Sequence, residues 1–231
     1  ALPDTTSNRW AVGGKKQLSE EQQAVVDGII EEYRQGIRDT YLVRGVTGSG
    51  KTEVYMELIE QVIALGKQAI VLIPEIALTY RTLLRFYQRF GDRVSVMNSK
   101  LSPGERSDQF ERAKKGEIDI MIGPRSALFT PFERLGLIII DEEHEASYKS
   151  ETMPKYHARE VAKKICHMHK ASLLLGSATP SLEAYFQAKE GKIKLFELNN
   201  RLAGGELPTV YIEDLREELK QGNRSIFSRR L

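Results

Sequence analysis

A glycine-rich loop in the first quarter of the chain constrains its fold most. The stretch GVTGSGKTEVY begins at Gly45, directly after the apolar run 40–43, and an amphipathic segment follows it. Its spacing, with Gly50, Lys51 and Thr52 five to seven residues after Gly45, is that of a phosphate-binding loop. In such a loop backbone N–H groups surround phosphate oxygens, the lysine reaches the outer phosphates, and the threonine hydroxyl binds Mg²⁺. The residues predicted to bind the nucleotide here are Gly45, Thr47, Gly48, Ser49, Gly50, Lys51 and Thr52.

Apolar runs alternate with helix-period segments through the rest of the chain. The runs predicted as strands are 40–43, 68–73, 94–97, 118–122, 137–141 and 172–177. The segments predicted as helices between them are 52–65, 78–90, 103–115 and 158–169. Consecutive apolar positions are typical of strands that are covered on both faces. The pattern predicts an α/β fold, a mostly parallel sheet with helices on both faces, whose ligand lies at the carboxyl ends of the strands.

An acidic pair ends one of these runs. Asp141 and Glu142 follow the apolar residues 137–140, and a carboxylate at such a strand end holds Mg²⁺ in many phosphate-loop enzymes. We expect Asp141 and Thr52 to bind Mg²⁺, and Glu142 to orient and polarise the attacking water. Acidic residues are also favoured at helix N-termini, but the phosphate loop favours the catalytic interpretation. Lys51, Asp141 and Glu142 are therefore the predicted catalytic residues, with ATP and Mg²⁺ as cofactors.

Composition limits the remaining possibilities. The 231 residues carry 34 basic and 32 acidic side chains, so nucleic-acid binding would require local clusters of positive charge. A single cysteine, Cys166, and the lack of any Cys-x-x-Cys pair indicate a reducing, cytoplasmic compartment and predict no zinc in this chain. The apolar run 135–140 is too short to cross a membrane. The nearby His167 and His169 face different directions on a helix, which does not favour a metal site.

Two motifs together resemble those of superfamily 2 helicases: Asp-Glu-Glu-His at 141–144 and Gly-Ser-Ala-Thr-Pro at 176–180. The stretches LIPEIALT (72–79), GPRSALFTPF (123–132) and DEEHEASYKSETMPKYHARE (141–160) narrow the likeness to the PriA family of bacterial replication-restart helicases, over about 18–215. This resemblance implies a RecA-like lobe of a 3′–5′ DNA helicase that uses ATP to restart stalled forks. It also implies single-stranded and forked DNA, primosome proteins and a single-stranded-DNA-binding protein as partners of a cytoplasmic monomer.

The resemblance also implies roles for individual residues. Gln22 would recognise adenine, and Ser177 and Thr179 would couple the nucleotide site to nucleic acid. Tyr148 and Tyr156 would stack on bases, in an aromatic-rich segment that is poorer in aromatic residues here than in the family. The other residues implied to contact DNA are Thr79, Arg125, Ser126, Lys149 and Lys155, with Arg159 attracting phosphates.

A positive stripe on the predicted helix 78–90 has two interpretations. Arg81, Arg85 and Arg89 recur every four residues and line one helix face. That face either binds DNA phosphates or is an ordinary solvated surface. The first arginine of the stripe and the residue before it also differ from the family, which has Pro-Gln where this chain has Tyr80 and Arg81.

The same resemblance divides the chain. Residues 1–16 are interpreted as a linker from a missing N-terminal DNA-binding domain, 17–205 as the helicase lobe, and 206–231 as a connector toward a zinc insertion and a second lobe. Because the second lobe supplies arginines for catalysis, we expect the isolated chain to bind nucleotide and DNA weakly, without unwinding. The alternatives are a nucleotide-gated DNA- or protein-binding module, another superfamily 2 translocase, or a small-molecule kinase, for which no arginine-bearing lid is evident.

Overall fold

The computed structural model describes residues 17–202 and 210–230, and its central element is a parallel sheet. The seven strands are β1 (Thr40–Gly45), β2 (Gln68–Leu72), β3 (Val94–Val96), β4 (Ile120–Gly123), β5 (Leu135–Asp141), β6 (Ser172–Ser177) and β7 (Lys194–Leu198). They lie in the order β3-β4-β2-β5-β6-β1-β7, and each pair of neighbouring strands is parallel. The predicted α/β class and RecA-like lobe are confirmed.

Within the described residues, seven α-helices connect or flank these strands. They are α1 (Glu20–Arg34), α2 (Lys51–Ala64), α3 (Tyr80–Phe90), α4 (Pro103–Lys114), α5 (Ala158–His169), α6 (Leu182–Lys189) and α7 (Leu215–Lys220). Side-chain caps define several starts: Ser19 with Gln22 and Ser102 with Glu105 form capping boxes at α1 and α4. The start of α2 differs, because Gly50 lies in the left-handed region at φ 79° and has no side chain to cap it. The phosphate loop therefore leaves the first N–H groups of α2 available.

Alternate residues of the central strands enter two separate cores. On one face Val43, Val71 and Ile139 pack with α1, α2 and α3. On the other face Leu42 and Ile138 belong to the cluster that includes residues of α5. Strands covered on both faces explain the uninterrupted apolar runs of the sequence. The residues just beyond the carboxyl ends of the strands are therefore attached to a sheet that is packed on both faces.

The structure adds elements that the sequence pattern did not predict. Strand β7 extends the sheet beside β1, and the short helix α6 follows β6. The predicted helix 78–90 begins at Tyr80, after a 3-10 turn at Glu75–Ala77. The interpretation of residues 1–16 as a linker lies outside the described residues, as does the boundary at 205 between lobe and connector.

Candidate nucleotide and nucleic-acid sites

The phosphate loop joins β1 to α2 in the geometry its spacing predicts. Gly48 and Gly50 both have positive φ angles, 83° and 79°, which glycine adopts without strain. Lys51 is the first residue of α2, and its Nζ donates a hydrogen bond to the carbonyl oxygen of Gly45 at 2.9 Å. The lysine thus lies across the loop, at the positive N-terminal end of a helix. This is an arrangement suited to an anion.

The acidic pair faces this lysine. Glu142 Oε1 lies 3.9 Å from Lys51 Nζ. Asp141 Oδ1 accepts a hydrogen bond from the Tyr55 hydroxyl at 2.9 Å. Burial raises the pKa of Asp141, and the Tyr55 hydrogen bond partly opposes that rise. Glu142 has φ 46°, a conformation that costs a residue with a Cβ about 1–2 kcal/mol.

Tyr55 is a site residue that sequence reasoning missed. Its ring is 1% exposed and lies against Gly176 of β6, with its hydroxyl on Asp141. Burial, and then the charge of Asp141, raise the pKa of its phenol. Tyr55 lies four residues after Lys51, at the start of α2. Its position at the end of the stretch GVTGSGKTEVY is the sequence signal that could have identified it as a site residue.

Loop, helix and acidic pair enclose one cavity. It has a volume of about 330 Å³ and its lining residues are Thr47, Gly48, Gly50, Lys51, Thr52, Glu53, Arg85, Asp141, Glu142 and Leu202. The Thr52 hydroxyl and the Asp141 carboxylate are oxygen donors, the class of ligand that Mg²⁺ takes. Burial raises the pKa of the Asp141 carboxyl group, and a bound cation would stabilise its charged form. The donor set therefore fits Mg²⁺.

Gln22 lies next to the loop, but its amide is already engaged. The side chain is 1% exposed, and Nε2 donates to the carbonyl oxygens of Ser49 and Gly50 at 2.9 and 3.2 Å. Its Oε1 accepts from the N–H of Ser19. Gln22 therefore ties α1 to the phosphate loop. Leu202 also lies beside Gly50, and its N–H donates a hydrogen bond to the carbonyl oxygen of Gly48.

The end of β6 links the acidic motif to the Ser-Ala-Thr motif. Strand β6 lies between β1 and β5, so Ser177 comes to lie beside His144. His144 Nδ1 is 2.7 Å from Ser177 Oγ, and Nε2 is 3.5 Å from Thr179 Oγ1. His144 was not among the predicted site residues, although it is the last residue of the Asp-Glu-Glu-His motif. The two motifs are in direct contact through its ring.

Several residues implied to bind DNA meet beyond β4 and β5. Arg125 Nη1 donates to the carbonyl oxygens of Ser147 and Lys149 at 3.0 and 2.7 Å. Ser126 is in the same 3-10 turn as Arg125. Tyr156 packs edge-on against Phe129, with ring centroids 5.5 Å apart. A shallow depression of about 550 Å³ lies here, lined by Lys149, Ser150, Glu151, Lys155, Tyr156 and His157.

The structure corrects the role assigned to Tyr148. Its ring is 1% exposed, and its hydroxyl donates to the backbone carbonyl of Asp141 at 2.7 Å. The 3-10 turn Ala146–Tyr148 places the ring inside the core, so neither ring face is available to a base. The prediction that Tyr148 stacks on DNA is wrong for this structure. Tyr148 supports the strand end that carries the acidic pair.

The arginine stripe of α3 faces α2 over part of its length. Arg85 pairs with Glu53, and Arg89 pairs with Glu57 and Glu60 of α2. Arg89 is only 14% exposed in its side chain. These contacts fit neither of the two earlier interpretations, since the charges hold two helices together. Arg81 is exposed, and Thr79 caps α3 by accepting from the N–H of Thr82.

Comparison with known proteins shows the family to which the chain belongs. The family model described as "Type III restriction enzyme, res subunit" matches residues 15–182. The chain belongs to this family. It is also 50% identical over 211 residues to the replication restart protein PriA of Bacillus subtilis, and 48% identical over 195 residues to that of Synechocystis. These matches cover 91% and 82% of the chain but only 26% and 24% of the relatives. The predicted resemblance to PriA is confirmed, and the chain spans about a quarter of the length of these relatives.

Solved structures with the same fold include one protein bound to DNA and one helicase domain. "Structure of RecG bound to three-way DNA junction" superposes with a TM-score of 0.61 at 22% identity, covering 83% of this chain and 25% of that one. The helicase domain of Pyrococcus furiosus Hef superposes with a TM-score of 0.55 at 19% identity, covering 77% and 37%. At these identities the likeness concerns the fold.

Residues 17–202 and 210–230 contain neither a membrane-spanning helix nor a cluster of metal-ligating side chains. No helix in this part of the chain is long and apolar enough to span a membrane. No group of three or more His, Cys, Asp or Glu side chains there is arranged to hold a metal ion. A Mg²⁺ ion at Thr52 and Asp141 would therefore need further oxygen ligands from a nucleotide and water.

Proposed function

We propose that this chain is the ATP-binding lobe of an ATP-dependent DNA helicase that acts in replication restart. One observation carries the proposal: the phosphate-loop lysine and the acidic pair meet across a single cavity, with Lys51 Nζ 3.9 Å from Glu142. A structural turn has no need of two carboxylates beside its lysine. Hydrolysis of a nucleoside triphosphate does, because it requires a bound cation and an oriented water.

Each residue of the cavity has a defined task in this proposal. The backbone of Gly45, Thr47, Gly48, Ser49 and Gly50 surrounds the phosphates, and Lys51 moves from the Gly45 carbonyl to the outer phosphates. Thr52 and Asp141 hold Mg²⁺, which neutralises charge on the phosphates. Glu142 accepts the hydrogen bond that orients the attacking water. Tyr55 keeps the buried Asp141 carboxylate in place.

Recognition of adenine is assigned to the surface beside Gly50. Gln22 and Leu202 flank this glycine, so a methyl group there would contact both side chains. Leu202 is 52% exposed and offers apolar area to a base. Gln22 would hold the phosphate loop in place. It would also bind the edge of adenine, by exchanging its present hydrogen bonds for bonds to the base.

The DNA path is assigned to the far part of the carboxyl edge. Thr79, Arg125, Ser126, Lys149, Lys155 and Tyr156 would contact the strand, with Tyr156 stacking on a base. Ser177 and Thr179, joined through His144, would link that strand to the nucleotide site. The match to PriA supports 3′–5′ movement, primosome proteins and a single-stranded-DNA-binding protein as partners, and a cytoplasmic location for the whole protein.

The isolated chain is expected to bind Mg–ATP and single-stranded DNA weakly and to unwind nothing. Titration of a fluorescent ATP analogue with Mg²⁺ tests this, with and without a single-stranded oligonucleotide. Saturable binding that Lys51→Ala abolishes supports the proposal. Binding that Lys51→Ala leaves unchanged contradicts it, and binding that no oligonucleotide alters supports a nucleotide-binding module without DNA coupling.

A further inference from the structure

A buried polar cluster lies one residue beyond the acidic pair. The Glu143 carboxylate has no exposed side-chain surface and accepts three hydrogen bonds. Their donors are the N–H of Ser181 at 2.6 Å, Ser181 Oγ at 3.0 Å and Arg159 Nη1 at 3.1 Å. Arg159 also donates to Ser181 Oγ at 2.8 Å. The residue is only 8% exposed, so the prediction that Arg159 attracts DNA phosphates is wrong for this structure. A buried charge pair with this many bonds is well satisfied, and it joins β5, α5 and α6.

We propose that Arg159, Glu143 and Ser181 are positioning residues that couple the segment 149–157 to the nucleotide site, an inference that rests on the function proposed above. In this view the cluster fixes the direction of the Glu142 carboxylate. Through the same cluster, a movement of the segment 149–157 changes the position of that carboxylate.

The backbone of Glu142 supplies the first argument. Its φ of 46° is strained for a residue with a Cβ. Such strain persists only where neighbouring contacts determine the conformation. Glu143 provides those contacts, because its N–H donates to Gly176 of β6 at 3.1 Å and its carboxylate is held by the cluster. Release of the Glu143 carboxylate would allow Glu142 to relax away from Lys51.

The position of Arg159 supplies the second argument. The segment 149–157 closes on itself through the bridge between Lys149 and His157 and through a 2.7 Å hydrogen bond from the N–H of Ser150 to the carbonyl of Tyr156. His157 then caps α5 by accepting from the N–H of Arg159 at 3.2 Å. A ligand that shifts the closed segment therefore shifts the start of α5, and with it the guanidinium on Glu143.

Ser181 supplies the third argument, because it lies two residues after Thr179. It caps α6, accepting from the N–H of Ala184 at 3.2 Å, while its own N–H and hydroxyl hold Glu143. The cluster thus connects the end of the Ser-Ala-Thr stretch to the acidic pair by a route separate from the contact between His144 and Ser177.

The test measures how strongly DNA and nucleotide affect each other's binding. The Kd of a fluorescent ATP analogue with Mg²⁺ is measured without and with a saturating oligothymidylate, in the wild type, Arg159→Lys and Glu143→Gln. We expect the wild-type Kd values to differ by about fivefold or more, a typical coupling between two sites. In both variants the ratio should fall below about twofold, while each ligand alone binds within about threefold of wild type.

A matched control separates coupling from stability. Asp119 is a second largely buried carboxylate, paired with Arg93 and Arg134 at the amino-terminal end of β4, away from the site. Asp119→Asn should destabilise the chain and keep the wild-type ratio. If Glu143→Gln fails to fold, Arg159→Lys alone decides.

Three outcomes contradict the inference: a wild-type ratio near one, variants that keep the wild-type ratio, or a loss of the ratio in Asp119→Asn as well. These outcomes differ from failure of the proposed function. That failure would appear as wild-type nucleotide binding that Lys51→Ala leaves intact, or as no nucleotide binding, which removes the inference along with it.

Discussion

The substitution Gly176→Ala tests the packing beneath the acidic pair. A methyl group at this position would lie 1.7 Å from the Tyr55 hydroxyl oxygen and 2.8 Å from its Cζ. Tyr55 is 1% exposed, and its ring cannot move aside without losing the hydrogen bond to Asp141. Overpacking costs about 1–3 kcal/mol, and loss of a hydrogen bond to a charged group about 1.5–3 kcal/mol. The free energy of unfolding should therefore fall by about 2.5–6 kcal/mol.

Urea unfolding followed by circular dichroism measures this loss. The matched control is Gly104→Ala, because a methyl group at Gly104 in α4 meets no atom within 4 Å. That control should change stability by about 1 kcal/mol or less. In a Tyr55→Phe background the closest clash is gone, so Gly176→Ala should cost less there by about 0.5–3 kcal/mol. Equal stability of Gly176→Ala and Gly104→Ala, or strict additivity with Tyr55→Phe, would refute the packing argument.

Three further predictions concern single side chains. Tyr148→Phe should lower the free energy of unfolding by about 1 kcal/mol and leave oligonucleotide affinity unchanged. Tyr156→Ala should weaken oligonucleotide binding by about 1–3 kcal/mol. Equal effects of the two variants on affinity, measured by fluorescence anisotropy titration, would contradict the buried position of Tyr148. Arg89→Met removes the cation between Glu57 and Glu60 and should lower the free energy of unfolding in urea by about 3–5 kcal/mol. The salt dependence of oligonucleotide binding should not change. A shallower salt dependence would show that Arg89 contacts DNA phosphates. Burial raises the pKa of the Cys166 thiol from 9.0 to about 12, so stability is present below pH 9 and is lost as the pH rises toward 12. Cys166→Ala should flatten that decline, and rapid labelling of the native thiol at pH 8 would show that Cys166 is accessible.

The sequence allowed prediction of those features that depend on local pattern. The phosphate loop and the six apolar strands have signals within a few residues, and each strand begins and ends within two residues of its predicted bounds. Strand β7 was missed because its burial is partial and irregular along KLFEL, as is usual for an edge strand. Helix α6 was missed because it has only eight residues.

Contacts between distant residues were less predictable. Nothing near Tyr148 in the sequence indicates that its hydroxyl reaches the carbonyl of Asp141, and an aromatic residue in a polar segment is typical of a surface. The bonds of Glu143 to Arg159 and Ser181 span 16 and 38 residues and depend on three elements packing together. Pairing of Arg85 and Arg89 with α2 likewise follows from helix packing, which periodicity alone does not give.

Amide chemical shifts on addition of an Mg–ATP analogue show whether a nucleotide binds at the phosphate loop. In a ¹⁵N-labelled chain of 231 residues each backbone N–H reports its own surroundings. We expect the largest changes at Gly48, Gly50 and Lys51, and smaller ones at the ends of β5 and β6. We also expect Lys51→Ala to remove these changes. Changes that centre on the groove between α1 and α2, around Asp27 and Gln61, and that survive Lys51→Ala would contradict a nucleotide site at this loop.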